Sequence, residues 1–318
     1  MTPRISSDRI VMGAAALPEP EREWLAEAER LPIESVWQGG HVLPPTYTGE
    51  TITRLALMAA WTERLRVGTS VLVLPLYNPV MVAKQLADID SRSGGRLSVG
   101  LGVGGEFAKE FEAVGVDIKQ RGARTDEAIA VLRQLWTGRR VSHHGRFFHF
   151  DDVEMHPVEE PSAGRPLMHD GGPPLLISGR KDLAMRRAAR LGDGWMPYLV
   201  SPRAYARSVE VIRKEAAEAG RDLGGFEWAM YAYCSIRADG DRARSDVRQF
   251  LGSAYGDKPQ ELLDRIAPSG TPGEVAERLQ EYADAGVRHF IVSPAAHRDT
   301  LEVVRLAALE VLPQLVTR

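Results

Sequence analysis

Apolar runs of strand length alternate with amphipathic runs of helix length along nearly the whole chain, and that alternation leaves few folds open. Strands are expected at 10–15, 34–37, 67–74, 96–101, 175–178, 194–197, 226–237 and 287–293. Helices are expected at 20–30, 50–63, 78–90, 121–136, 180–191, 202–219, 239–253, 260–265, 271–285 and 300–315. The run at 67–74 is rich in Val and Leu, as suits a parallel strand covered on both faces. Eight strands alternating with helices predict a (β/α)8 barrel. The rival, an open doubly wound sheet, usually has fewer strands and often carries its glycine fingerprint after strand one. Here the glycine run follows the fourth strand.

Local signals support the helix boundaries. Asn78-Pro79 places Pro in a first helical turn. Thr271-Pro272-Gly273-Glu274 has the spacing of a capping box, and Gly286 ends that helix. Residues 141–150 alternate like a hairpin with Gly145 at the tip, which reads as an insertion into the barrel. With no low-complexity linker and no break in composition, residues 1–318 read as one domain, a length that α/β barrels reach.

Composition narrows the function classes. The formal net charge of −3 gives no reason to expect nucleic acid or an anionic membrane as partner. The N-terminus lacks a signal-peptide apolar region, and no apolar run approaches membrane-spanning length, so a cytoplasmic protein is expected. The single cysteine, Cys234, excludes an intrachain disulfide and any multi-cysteine metal site. It lies in the apolar run WAMYAYCSI and reads as a small buried residue rather than a nucleophile.

The stretch 66–107 is the most informative for chemistry. Its two strands exit into small residues, at Ser70-Val71 and along Gly100 to Gly105, where a flat or phosphorylated ligand can approach backbone. The glycine run reads equally as a tight strand-to-helix turn. No GK[ST] follows it, so it is not a phosphate-binding P-loop. His41 falls just after strand two, at the ligand-facing end of a barrel strand, and an imidazole there can move a proton near neutral pH. Read without context, it is also a loop His bonded to backbone. Ser178-Gly179-Arg180 follows strand five and is read as opening a helix, an arrangement suited to an anion. Arg186, Arg187 and Arg190 fit a solvated basic helix face. Trp195 reads as a pocket wall or a core residue. His143, His144 and His149 lie in the hairpin. Adjacent residues on a strand face opposite ways, so no metal is expected there.

The ordered segments ESVW with His41, RLRVGTSVLVLPLYNPVMVAKQLADIDSRSGGRLSVGLGVGGE, FEAVGVDIKQRGARTDEAIAVLRQLWTG, PPLLISGR, AARLGDGW and GTPGEVAERLQEYADAGVRHFIV resemble the bacterial luciferase-like flavin and deazaflavin oxidoreductases. The resemblance runs from about residue 34 to 292 and implies a (β/α)8 barrel. It implies a catalytic His41 and a bulge at Ser70-Val71 against a flat ring, where relatives that use the deazaflavin F420 hold a non-proline cis peptide. By itself the local sequence reads as an ordinary trans strand end. The resemblance also implies Glu106 as an acid near the ring, Ser70, Val71, Val73, Gly104 and Gly105 as cofactor contacts, and Ser178, Gly179 and Arg180 as a phosphate site. One departure stands out. The family often has an acid just before this His, and here that position is Gly40, so a carboxylate to orient the imidazole is missing locally.

The resemblance implies an F420-dependent oxidoreductase that moves hydride between the deazaflavin and a small organic substrate. The GTSVLVLPLYNP segment is closer to that branch than to luciferase itself. The alternatives are an FMNH2-dependent monooxygenase and, from another class, a non-catalytic flavin-binding protein. A homodimer is implied by the resemblance alone.

Overall fold

The computed structural model describes residues 9–15, 21–44, 48–155, 171–255, 260–296 and 298–317. The strands are β1 (Val11–Ala15), β2 (Ser35–Gln38), β3 (Arg66–Val73), β4 (Leu97–Gly102), β5 (Val141–His144), β6 (His149–Val153), β7 (Leu175–Ser178), β8 (Gly194–Met196), β9 (Glu227–Ile236), β10 (Ser269–Gly270) and β11 (His289–Pro294). The helices are α1 (Glu21–Ala28), α2 (Thr51–Trp61), α3 (Pro79–Arg92), α4 (Ala108–Ala113), α5 (Arg121–Leu135), α6 (Asp182–Leu191), α7 (Pro202–Glu218), α8 (Gly240–Tyr255), α9 (Gln260–Ile266), α10 (Pro272–Asp284) and α11 (Thr300–Leu306). The sheet order is β10-β9-β11-β1-β2-β3-β4-β7-β8, with β8 also paired to β9, which is the order of a (β/α)8 barrel. β5 and β6 form the separate antiparallel hairpin. Among the described residues no helix is long and apolar enough to cross a membrane.

Among the described residues, contacts divide the chain into two compact units, 38–175, and 9–37 with 176–317. In the first, β3 and β4 run parallel from Val67↔Leu97 to Val73↔Gly102, with a register shift between Thr69 and Leu72. Asn78 caps α3 by accepting from the Val80 and Met81 amides ahead of Pro79, as its sequence suggests. Glu50 caps α2 by accepting from Ile52 and Thr53. At the other end of α2, Arg96 donates to the carbonyls of Ala59 and Thr62, groups that the helix itself leaves without partners. Glu127 of α5 accepts the amides of Arg146, Phe147 and Phe148 and so anchors the hairpin tip.

In the second unit β11 lies between β1 and β9, with His289 opposite Val11 on one side and Ala229 on the other. Buried within it, Trp37 Nε1 donates to Ser35 Oγ at 2.8 Å, Ser35 Oγ is 2.8 Å from His289 Nε2, and His289 Nδ1 is 2.7 Å from Glu227 Oε1. These polar groups satisfy one another, as burial demands. Thr271 and Glu274 form the expected capping box of α10, and Gly286 beyond that helix takes φ +108°. Cys234 is buried.

One expectation falls where nothing is described, and two change in detail. The start of the first helix, with Pro20, lies outside the described residues. The final helix is not uniform: α11 gives way to a π-helical turn (Ala307–Val311) and a 3-10 turn (Leu312–Gln314). Pro313 has no amide hydrogen for the regular ladder and crowds the carbonyl four residues back. β10 was not expected, since two residues carry no period.

Candidate active site

In the first unit His41 follows β2 through Gly39 and Gly40. Its Nδ1 is 2.7 Å from Glu110 Oε1, and its ring meets the edge of Phe107 at a centroid distance of 4.6 Å. The other oxygen of Glu110 accepts the Val42 amide at 2.5 Å and the Leu43 amide at 3.3 Å. Glu110 therefore binds both the imidazole and the backbone of the loop that carries it. Its side chain is 1% exposed, against 28% for His41. With the carboxylate ionised, Nδ1 carries a hydrogen and Nε2 is the nitrogen left to exchange a proton. Among the described residues Nε2 has no hydrogen-bond partner.

Glu110 takes the role that an acid before His41 would have. A Cβ at Gly40 would lie only 3.0 Å from both the Gly49 carbonyl oxygen and Thr51 Oγ1, so the loop has little room for a side chain. Sequence reading missed Glu110, although a signal was present. Phe107, Glu110 and Phe111 have the i, i+3, i+4 spacing of one helix face. Glu106 lies exposed in the bend ahead of α4, outside the helix.

The Ser70–Val71 peptide is cis, at the register shift between β3 and β4. Glycines make room around it. A Cβ on Gly39 would overlap the Ser70 carbonyl, one on Gly102 would meet Val71 Cγ2 at 2.5 Å, and one on Gly104 would meet Val73 Cγ1 at 2.5 Å. Gly104 also takes φ +63°, which favours glycine. Val73 itself is buried with Leu76 and Phe111. Gly105, at φ +124°, is exposed. Ser70 Oγ is buried and has no hydrogen-bond partner among the described residues. A buried hydroxyl of this kind is a ready contact for a polar ring edge, so this strand end fits a flat heteroaromatic group.

Two further residues stand close to this set. Tyr77 packs against the cluster of Val73, Leu76 and Phe111 and donates to Glu50 Oε1 at 3.0 Å. Burial raises the Tyr77 hydroxyl well above its usual range, and the charges of Glu50 and Glu110 add to the shift. Burial pushes Glu50 up, but the amides of Thr53 and Ile52 and the Tyr77 hydroxyl outweigh it, leaving its carboxyl below the usual value.

In the second unit Ser178 ends β7 and Gly179 takes φ +121°. The helix begins later than expected, at Asp182, with Lys181 as its cap residue. Arg180 Nη1 donates to the Leu199 carbonyl at 3.0 Å, and its guanidinium carbon lies 5.2 Å from the Tyr198 ring centre. The other guanidinium N–H groups remain donors for an anion. Trp195 is a core residue, and its indole N–H fixes the Gly179 carbonyl at 2.8 Å. Arg186 and Arg190 pair with Glu215 at 2.9 and 3.1 Å, as suits an exposed basic face.

Known proteins agree with this architecture. The chain is 26% identical over 325 residues to an F420-dependent glucose-6-phosphate dehydrogenase of Segniliparus rotundus, covering 92% of each chain. It is 26% identical over 299 residues to a 5,10-methylenetetrahydromethanopterin reductase of Archaeoglobus fulgidus, covering 82% of this chain and 86% of that one. Among solved structures, an F420-dependent secondary alcohol dehydrogenase in complex with an F420–acetone adduct superposes with a TM-score of 0.81 at 23% identity, covering 96% of this chain and 99% of that one. That likeness shows the (β/α)8 barrel fold. The family model described as luciferase-like monooxygenase matches residues 8–259, so the chain belongs to the luciferase-like monooxygenase family.

Proposed function

We propose that this protein is an F420-dependent oxidoreductase acting on a small organic substrate, with residues 1–318 as one catalytic domain. The His41–Glu110 pair carries the reading: an imidazole oriented through Nδ1, with Nε2 left for proton transfer. Relatives named for F420-dependent reactions support the cofactor. The family match across both compact units supports a single domain.

When bound, a deazaflavin supplies a hydride acceptor or donor. Ser70, Val71, Gly104 and Gly105, with Val73 behind them, would hold its ring. Taken by themselves, Ser178, Gly179 and Arg180 of the second unit would hold a phosphate or similar anion. As a substrate C–H is oxidised, the proton leaving its hydroxyl or amine is taken by His41 Nε2, and in the reverse direction Nε2 returns it. Glu110 holds the ring at Nδ1 and stabilises the imidazolium formed in that step. Tyr77, tied to Glu50, adds a polar hydroxyl within electrostatic reach of Glu110.

Fluorescence titration of the purified protein with F420 and with FMN tests the cofactor. Saturable F420 binding is expected. Tight FMN binding with no F420 response would sink the proposal in favour of a flavin monooxygenase. Binding without turnover on any panel of alcohols and sugar phosphates would favour a non-catalytic role. Sedimentation of the same sample tests the homodimer.

A further inference from the structure

We propose that the β5–β6 hairpin carries a surface site for a divalent transition-metal ion, held by His144, His149 and Asp151. His143 and His144 do face opposite ways, as adjacent strand residues must. His143 turns to Gln134 at 3.0 Å and Glu127 at 3.3 Å. The convergent pair is instead formed across the hairpin. His144 stands opposite His149 in register, and their rings meet edge to face at 4.3 Å. Asp151, two residues beyond His149 on the same strand, lies on the same face.

The donor atoms point at one another. His144 Nε2 is 2.8 Å from Asp151 Oδ1, and His149 Nε2 is 3.8 Å from Asp151 Oδ2. One donor atom from each residue falls within 4.8 Å of the other two. Around an ion bonded at roughly 2.0–2.1 Å, tetrahedral donors stand about 3.4 Å apart. All three side chains are exposed, so a small rotation reaches that spacing without moving backbone. One Asp151 carboxylate oxygen, whose charge offsets that of the ion, and two neutral imidazole nitrogens form the donor set.

Two imidazoles and one carboxylate suit Zn2+, Co2+, Ni2+ or Cu2+ and not Mg2+ or Ca2+, which prefer oxygen cages. Three protein donors leave further positions to water. The backbone beneath the site is held before metal arrives. Glu127 fixes the tip through the amides of residues 146–148, and Arg140 bridges to Asp152 at 2.9 Å. Metal binding here would clamp β5 to β6. None of the three donors belongs to the His41–Glu110 set.

The test uses untagged full-length protein freed of metal and titrated with Co2+, followed by visible absorption and by displacement with Zn2+. Saturable binding of one ion is expected, weakened at least tenfold by His149→Ala and by Asp151→Asn, and unchanged in His41→Ala. Zn2+ should also slow hydrogen exchange of the amides in residues 141–153 in the wild type and not in His149→Ala. No binding below millimolar metal overturns the proposal. So does less than a tenfold change in a His144→Ala/His149→Ala double variant.

Discussion

His41 Nδ1 and Glu110 Oε1 lie 2.7 Å apart although the two residues are separated by 69 positions. The same carboxylate holds the Val42 amide through its other oxygen. Imidazole orientation and loop position are thus set by one buried side chain. Glu110→Gln should lower turnover about tenfold or more, and His41→Ala by roughly 100- to 10,000-fold. F420 affinity should stay within about twofold in both, because neither role is cofactor binding. Steady-state kinetics paired with fluorescence titration separates the two quantities. Undiminished turnover in His41→Ala would remove that residue from the mechanism.

Ser70 Oγ is buried without a hydrogen-bond partner among the described residues. Removing an unsatisfied buried hydroxyl costs little, so Ser70→Ala should leave the melting temperature of the free protein unchanged or slightly raised. If the hydroxyl meets the cofactor, F420 affinity should fall by about 2- to 10-fold, the worth of one net hydrogen bond. Calorimetry and titration of the same variant give both numbers. A variant that is destabilised and binds F420 normally would place the hydroxyl in a structural role.

Glu127 accepts three hairpin amides. Burial pushes its carboxyl up, but the bonds from Phe147, Phe148, His143 and Arg146 dominate and hold it below the usual value. A lowered folded-state value means that the stabilisation is complete above the unfolded carboxylate range, near about 4.3. It is lost as pH falls through the lower folded value. The melting-temperature gap between wild type and Glu127→Gln should therefore be wide at neutral pH and close below about pH 4. A gap that is constant with pH would rule out the charge as its source.

Burial pushes the Cys234 thiol up to about 12. Thiolate is then scarce at pH 8, and access is blocked as well. A thiol reagent should leave the native protein unmodified over hours and label one site promptly after denaturation. Fast native labelling would contradict the burial.

Ser35, His289 and Glu227 line up in the order of a hydrolytic triad, with Trp37 donating to the same hydroxyl. All are buried, so we expect no reaction with a fluorophosphonate probe. Ser35→Ala leaves the Trp37 N–H and His289 Nε2 without that partner and should cost about 1–3 kcal/mol of stability. Chemical denaturation measures it.

Local chemistry made the fold legible. Hydrophobic period, Pro79 in a first turn, the Thr271–Glu274 capping box and Gly286 act over a few residues, so the strands and helices of the barrel could be read in order. The same signals located His41 at a strand end, whereas the irregular exit of β3 at Ser70–Val71 followed from the family resemblance and not from its local sequence. What acts across the chain was not legible. Gly40 suggested a missing carboxylate, and the structure supplies one from α4 through Glu110, because a buried carboxylate must pair with whatever donors the fold brings near. Likewise the histidine pair that converges on Asp151 is set by strand register, not by adjacency. Sequence alone determined the order of elements, through local propensity and period. Only tertiary structure decided which acid orients His41, because that choice depends on distance in space and on the need to satisfy buried polar groups.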